Sequence, residues 1–496
     1  MPTRTATARE AALVWAPGLL VTAVCLVRVA YLVARPDVAI TVVPDDAFYY
    51  LQLAHNRVQL GAWTFDGAAQ TSGFHLLHAY LLALLDLVLG DAGRNWLLML
   101  GVVGTFASFA LGLAAALLVR AGRQVNGDHA GWWAVVVLAS APVVITSTML
   151  MESHLVILGA AAVLAVVADP GRPTGWRAAG TLVVGMLAAL TRSDFVILPG
   201  ILWLTCLATW RADQDRARRA TLVLVGSLAG FGLTVLHTFL ISGTLLQTSV
   251  LTKLRWSSTV GLTWGEILAI WNVMLLVVVG AFVLVVVRRP DSLRLFREPI
   301  GLACLFSLLA YGVVYGLAKR GFQVWYGASM VVPLAFFFTM VGGVVRPRWS
   351  RAVAAVLVVA SVLSSLLSLG TQQWPWQLGM LHAAERLRED PSIDHVGAWN
   401  AGILAIVSGK TVTNLDGLVD DRAAEANAEG RLFDYVRERG IEDIVDHADA
   451  LEAPGDEQPD PRLQRCVRQV AVLSDPGDPR SGSGPVTLFR LVPGCE

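Results

Sequence analysis

From Ala11 to Ala34 the chain is apolar apart from a single charge, Arg28, and after a short connection it reads Pro44-Asp45-Asp46-Ala47-Phe48-Tyr49-Tyr50-Leu51. The first stretch is long enough to cross the hydrocarbon of a bilayer, which takes about 20 residues. The second puts two adjacent carboxylates at the head of an amphipathic helix beside that membrane. Ionised groups near hydrocarbon are costly and persist mainly where they serve a function, and paired carboxylates shift each other's pKa. The first span is too long for a removable signal sequence and no small-residue cleavage site follows it, so it is expected to stay in the protein.

Composition agrees with a polytopic membrane protein. Of 496 residues 55% are hydrophobic and only 15% charged, and the mean hydropathy is +0.59. The formal net charge is zero, so no basic field argues for a nucleic-acid partner. The five cysteines follow no metal-ligand spacing. Cys25, Cys206 and Cys304 lie in apolar runs, whereas Cys466 and Cys495 share a polar tail and are candidates for a disulfide outside the cytoplasm.

Apolar runs near 11–34, 95–119, 130–148, 153–168, 178–191, 195–210, 220–241, 266–287, 299–317, 325–345 and 351–370 predict about eleven transmembrane helices. Arginine-rich connections around Arg120, Arg172, Arg211, Arg288 and Arg346 then fall on the same side as Arg4 and Arg9, which makes the N-terminus cytoplasmic and the polar tail from about 371 extracytoplasmic. That count requires 74–90, which carries His75, His78 and Asp86, to lie along the interface instead of crossing. Residues 46–60 read as a second in-plane helix, with Thr64-Phe65-Asp66-Gly67 as a turn between the two. The tail alternates helical and strand-like segments, with strands expected near 395–399, 411–413, 441–445, 467–473 and 486–492: a small α/β domain. The expected division is therefore 1–370 as the membrane domain and 371–496 as the tail.

The chemistry-bearing residues cluster at the external ends of these spans. Asp45 and Asp46 open the first in-plane helix, where an aspartate also serves as an ordinary N-cap. Glu152 sits in the tight turn Met149-Leu150-Met151-Glu152-Ser153, which has no structural need of a carboxylate. Arg192, Lys253, Arg255, Lys319 and Arg320 are the cations able to hold a phosphate, Arg by its bidentate fork and Lys by its compact charge. Snorkelling to the interface is the simpler account of any one of them. His75 and Tyr326 are candidate acceptor contacts. Metal binding by His75 and His78 is not favoured, and no cofactor is expected, although a divalent metal stays open.

Asp45-Asp46-Ala47-Phe48-Tyr49-Tyr50-Leu51, Thr64-Phe65-Asp66-Gly67, Thr71-Ser72-Gly73-Phe74-His75, Met151-Glu152-Ser153, Thr191-Arg192-Ser193-Asp194 and Asn414-Leu415-Asp416-Gly417-Leu418 together resemble a bacterial branch of the GT-C glycosyltransferases. The plan is similar to that of protein O-mannosyltransferases and the transferase that adds aminoarabinose to lipid A. The resemblance implies an inverting, integral-membrane enzyme. It would take a sugar from a polyprenyl-phosphate donor and pass it to a cell-envelope glycan, glycolipid or protein on the extracytoplasmic face. It also implies that Asp45 is the base, with Asp46 its neighbour or helix cap, and that Glu152 matches the acidic residue of the second external loop. The tail would cap the external cavity, with Trp399, Asn400, Asn414 and Asp416 as possible contacts, although turn and strand-end chemistry accounts for these four more simply.

The sequence departs from the mannosyltransferase pattern. It carries Asp where the second acid is expected to be Glu, and Leu76 and His78 where Pro and Trp are expected. The resemblance therefore names a superfamily and no sugar. Abundant Ala, Val, Arg and Gly suit a GC-rich bacterial source. A flippase or transporter of lipid-linked sugars and a non-catalytic membrane scaffold are the other classes open at this stage. Internal repeats, which a transporter often shows, are not evident.

Overall fold

The apolar runs form helices because each satisfies its own backbone hydrogen bonds, as a chain in lipid must. In a computed structural model, residues 8–127, 130–259, 298–317, 323–452, 460–474 and 485–495 are described. The expected span 266–287 and the candidate cations Lys319 and Arg320 lie outside them. The described residues divide into two units, one made of Met1–Tyr31, Gly101–Thr234 and Leu262–Leu369, the other of Leu32–Leu100, Val235–Gly261 and Gly370–Glu496.

The first unit is helical. Its elements include Ala8–Ala34, Trp96–Asn126, Ser153–Ala168, Trp176–Thr191, Ile197–Ala208, Gln214–Ser242, Pro299–Leu317, Ala328–Val344 and Pro347–Leu367, of which the first two and Gln214–Ser242 run on into the second unit. Leu111, Leu118, Val156, Leu164, Phe195, Leu202 and Phe336 fill its interior. Large apolar side chains such as Leu19, Phe109, Leu204, Leu228, Val313 and Val356 stay exposed, a surface suited to lipid and not to water. Helices approach closely through small residues, as membrane helices do. A methyl group on Gly226 would lie 2.0 Å from the Leu182 carbonyl oxygen, and one on Gly18 would lie 2.5 Å from that of Gly112.

The expected helix 130–148 is instead two short ones, Trp133–Leu138 and Ala141–Ser147. Pro142 explains the break, since it has no N–H to donate to the Leu138 carbonyl four residues back and its ring crowds that carbonyl. Among the described residues no carboxylate pairs with Arg28. It is fully buried, with Nε donating to Thr148 Oγ1 at 3.2 Å and Nη1 to the Ser368 carbonyl at 3.4 Å.

The second unit joins the first expected external loop to the tail. Asp45–Leu60 and Leu76–Leu89 are the two helices of that loop, packed on each other with Tyr50 edge-on to His78 and His55 beside Asp86. Thr64 pairs with Gln70 around a turn in which Gly67 is left-handed (φ 85°), as the sequence suggested. Leu76–Arg94 is one of six described segments long and apolar enough to cross a membrane. It reaches that length only with the 3-10 turn Gly90–Arg94; the α-helix Leu76–Leu89 has 14 residues, about 21 Å, against the roughly 30 Å of a hydrocarbon core. Its charge, Asp86, is buried, with both oxygens 3.3–3.4 Å from His55 Nδ1.

The tail carries a five-stranded sheet: β1 (His395–Ala398), β2 (Thr411–Asn414), β3 (Asp443–His447), β4 (Val467–Val472) and β5 (Val486–Leu491), in the order β2-β1-β3-β5-β4. The first three are parallel, and β5 runs antiparallel to both β3 and β4. Strands sit where the alternation placed them, except that the third begins two residues later than expected. Helix Asp421–Ala428 was not expected; Asp420 caps it, accepting from the Arg422 and Ala423 N–H groups at 3.0 Å. A Cys466–Cys495 disulfide closes the end of the domain.

Candidate active site

Asp45 begins the helix Asp45–Leu60, yet its carboxylate caps a different helix. After β1 the chain turns through Trp399 and Asn400 into helix Ala401–Ser408, whose first N–H groups have no partner within that helix. Gly402 N–H donates to Asp45 Oδ2 at 3.0 Å and Ile403 N–H to Asp45 Oδ1 at 2.7 Å. The approach is possible because residue 402 is glycine; a methyl group there would meet the Asp45 carbonyl oxygen at 2.4 Å. Asp45 is 7% exposed, and burial raises its pKa to about 7. The two N–H bonds pull the other way, while Asp46 and Asp446 add to the rise.

Asp46 is the more open of the pair. Its Oδ2 lies 3.6 Å from Lys253 Nζ, on helix Thr248–Thr259. That helix is tied to the tail by Thr248 Oγ1 to Asp421 (2.6 Å), Thr252 Oγ1 to the Gly417 carbonyl (3.2 Å) and Arg255 Nη1 to the Ala424 carbonyl (2.9 Å). Arg255 thus docks the helix that presents Lys253.

Tyr49 lies one turn along from Asp45. Its hydroxyl donates to the Trp399 carbonyl at 2.9 Å, accepts from Asn414 Nδ2 at 3.2 Å and stands 3.3 Å from Asp416 Oδ2. Burial drives the pKa of Asp416 well up, and Asp46 and Asp45 add to the effect. The loop that carries Asp416 needs Gly417 in the left-handed region (φ 78°), where a side chain would strike Ala424. Trp399, Asn400, Asn414 and Asp416 are therefore built into this cluster, although turn chemistry had accounted for them more simply. Tyr49 and Asp446 were missed. Asp446 accepts from the Trp399 and Asn400 N–H groups and from Asn400 Nδ2, all at 2.8–2.9 Å, and so fixes the turn that delivers helix Ala401–Ser408.

His75 stands at the N-terminus of helix Leu76–Leu89, where its backbone N–H donates to the Tyr50 hydroxyl at 3.1 Å. Among the described residues no group of three or more His, Cys, Asp or Glu side chains is arranged to hold a metal ion.

The first unit holds a separate acidic cluster. Glu152 is fully buried, and Arg192 Nη1 donates to its Oε1 at 2.8 Å. Arg192 Nε donates to Asp194 Oδ1 at 3.0 Å, and its guanidinium lies 4.4 Å from the centre of the Tyr326 ring. Asp194 also accepts from the Tyr315 hydroxyl and, at 3.3 Å, from Ser329 Oγ. Tyr311, Tyr315 and Tyr326 stack in sequence. Arg192, expected to contact phosphate, is here neutralised by two carboxylates, and Tyr326, expected to contact acceptor, covers it. Asp194 was quoted in a motif but not singled out. In the turn before Glu152, Leu150 adopts φ +61°, the one non-glycine with a positive φ among the described residues. A branched side chain pays for that conformation, which persists where the surroundings impose it.

No protein-family model matches this sequence, and no curated protein does. Solved structures do resemble it. ArnT from Cupriavidus metallidurans bound to undecaprenyl phosphate superposes with a TM-score of 0.59 at 12% identity, covering 96% of this chain and 98% of that one. The same protein in the apo state gives 0.56 over 93% and 97%. The oligosaccharyltransferase AglB from Archaeoglobus fulgidus, in complex with an inhibitory peptide and a dolichol-phosphate, gives 0.50 at 12% identity over 90% of this chain and 70% of that one. The chain has the GT-C fold, as a multi-pass helical membrane protein with a small C-terminal α/β domain.

Proposed function

We propose that this protein is an inverting glycosyltransferase that moves a sugar from a polyprenyl-phosphate donor to a hydroxyl of a cell-envelope glycan, glycolipid or protein. The observation that carries the proposal is the Asp45–Asp46 pair, with Lys253 beside Asp46, on a chain of this fold. In that reaction the acceptor oxygen attacks the anomeric carbon from the face opposite the phosphate. The new C–O bond forms as the bond to the phosphate oxygen breaks, and the configuration inverts. The acceptor proton passes to a carboxylate, and the departing polyprenyl phosphate carries the electron pair away as negative charge.

Asp45 is the base in this reading. Its pKa of about 7 suits proton transfer near neutral pH, and each oxygen, with one lone pair on an N–H, retains another for the acceptor. Lys253 stabilises the leaving phosphate, released to it from Asp46, and needs no metal to do so. Glu152 and Arg192 hold each other and Asp194 in a fixed arrangement, so their part is to support. An extracytoplasmic tail is supported by the Cys466–Cys495 disulfide, because such bonds persist in oxidising compartments. ArnT bound to undecaprenyl phosphate supports the choice of carrier.

The test supplies purified protein in lipid nanodiscs with a panel of undecaprenyl- and decaprenyl-phosphate-linked hexoses and pentoses plus a cell-envelope extract. Release of the polyprenyl phosphate with labelled sugar on a new acceptor is expected for one donor. Movement of the lipid across liposome membranes without transfer would replace this reading with that of a flippase.

A further inference from the structure

In open parallel α/β sheets, ligands bind beyond the C-terminal ends of the strands, where the strand order reverses, with anionic groups on a helix N-terminus. In this tail the order β2-β1-β3 puts that point after β1 and β3, where Trp399-Asn400-Ala401-Gly402 leads into helix Ala401–Ser408 and Asp446 faces the turn. The anion found there belongs to the chain itself: it is Asp45, from a position 357 residues away in sequence from Gly402. Gly402 leaves room for it, and Asp446 fixes the backbone that delivers the two N–H groups.

We propose that the C-terminal domain is a positioning part of the active centre, in which the first turn of helix Ala401–Ser408 holds Asp45 in register for proton transfer, with Gly402 and Asp446 as positioning residues. The proposal rests on Asp45 being the base. The groups around it divide by sign. Asp46 on its own helix and Asp446 from β3 oppose its ionisation, whereas the Gly402 and Ile403 N–H groups favour it; Tyr49 on its own helix and Asp416 from the loop after β2 feel the charge of Asp45 in turn, and Lys253 stands beyond Asp46. Loosening the N–H bonds should therefore move the ionisation of Asp45 to higher pH, whereas general loosening that lets water in would move it to lower pH.

Hydrogen–deuterium exchange of the full chain in nanodiscs, read on peptides spanning 399–408, tests the clamp without any donor. Because first-turn N–H groups lack helical partners, Asp45→Ala is expected to speed exchange there about tenfold or more, with β4 and β5 unchanged. Equal exchange in both proteins overturns the clamp, whatever the protein's activity. In the transfer assay, Gly402→Ala is expected to move the acid limb of the kcat/KM profile to higher pH by roughly one unit. A limb that stays in place while only thermal stability falls would make the domain a passive support and overturn the positioning role. Absence of transfer in the unaltered protein would count against the proposed function, leaving the exchange result to decide the clamp.

Discussion

The two buried acid clusters solve the same problem differently. Glu152 is neutralised by a guanidinium at 2.8 Å, and Arg192 is shared with Asp194 and covered by Tyr326. Asp45 is nearly as buried, yet the groups that touch its oxygens are two backbone N–H groups, and its nearest charged neighbours include the acids Asp46 and Asp446. A carboxylate with a cation at contact is held in place by it. One held by amides among other acids keeps an ionisation close to neutral pH, where a proton acceptor is most useful. In the proposed reaction this difference makes the first cluster the structural one and the second the reactive one.

The largest expected effect falls on chemistry. Asp45→Asn keeps the size and one of the two N–H acceptors but cannot take a proton, so turnover should fall by about 10²–10⁴-fold in a protein that still folds, with about 1–3 kcal/mol of stability lost from the N–H left facing the amide. The Glu152 cluster should behave in the reverse way. Arg192→Ala removes the guanidinium that contacts buried Glu152 and half-buried Asp194 and should cost about 3–5 kcal/mol of stability, read by denaturation in detergent. A variant that keeps its stability but loses turnover would move this cluster into the catalytic class.

Two smaller effects sharpen the contrast. Breaking the Cys466–Cys495 bridge, 29 residues apart, with Cys466→Ser should destabilise the tail by about 3–4 kcal/mol, measured as an earlier unfolding step. The smallest effect is a linkage. A carboxyl whose folded pKa is raised contributes stability that is fully present below its unfolded value, near 4, and is lost as pH rises through the folded value, here about 7. The thermal midpoint of the unaltered protein should therefore fall more between pH 4 and 7 than that of Asp45→Asn. Parallel curves would mean that Asp45 titrates at its ordinary value.

Much of this was legible because membrane helices and half-buried strands impose long, regular patterns. The spans around Cys25, Val156 and Phe336 and the strands at Val396 and Leu488 follow directly from apolar runs and alternation. Pro142 carried a break within a run that hydropathy alone reads as continuous. Asp420 before Arg422 and Ala423 was a helix-cap signal that the surrounding charges obscured. The acids themselves were visible, but their partners were not. Nothing local to Asp45 points to Gly402, and the strand–turn–helix passage Trp399-Asn400-Ala401-Gly402 shows only that a free helix N-terminus lies there. Arg192 was read as a phosphate contact because its nearness to Glu152 is tertiary, although Asp194, two residues on, offered a local counter-charge.

The most direct test of the central claim is single-turnover sugar transfer by the purified protein and its Asp45→Asn variant, followed from pH 5 to 9. The account predicts an acid limb near pH 7 in the unaltered protein and a flat, at least about 100-fold lower rate in the variant. A variant that transfers at the unaltered rate, or that keeps the same limb, would contradict it.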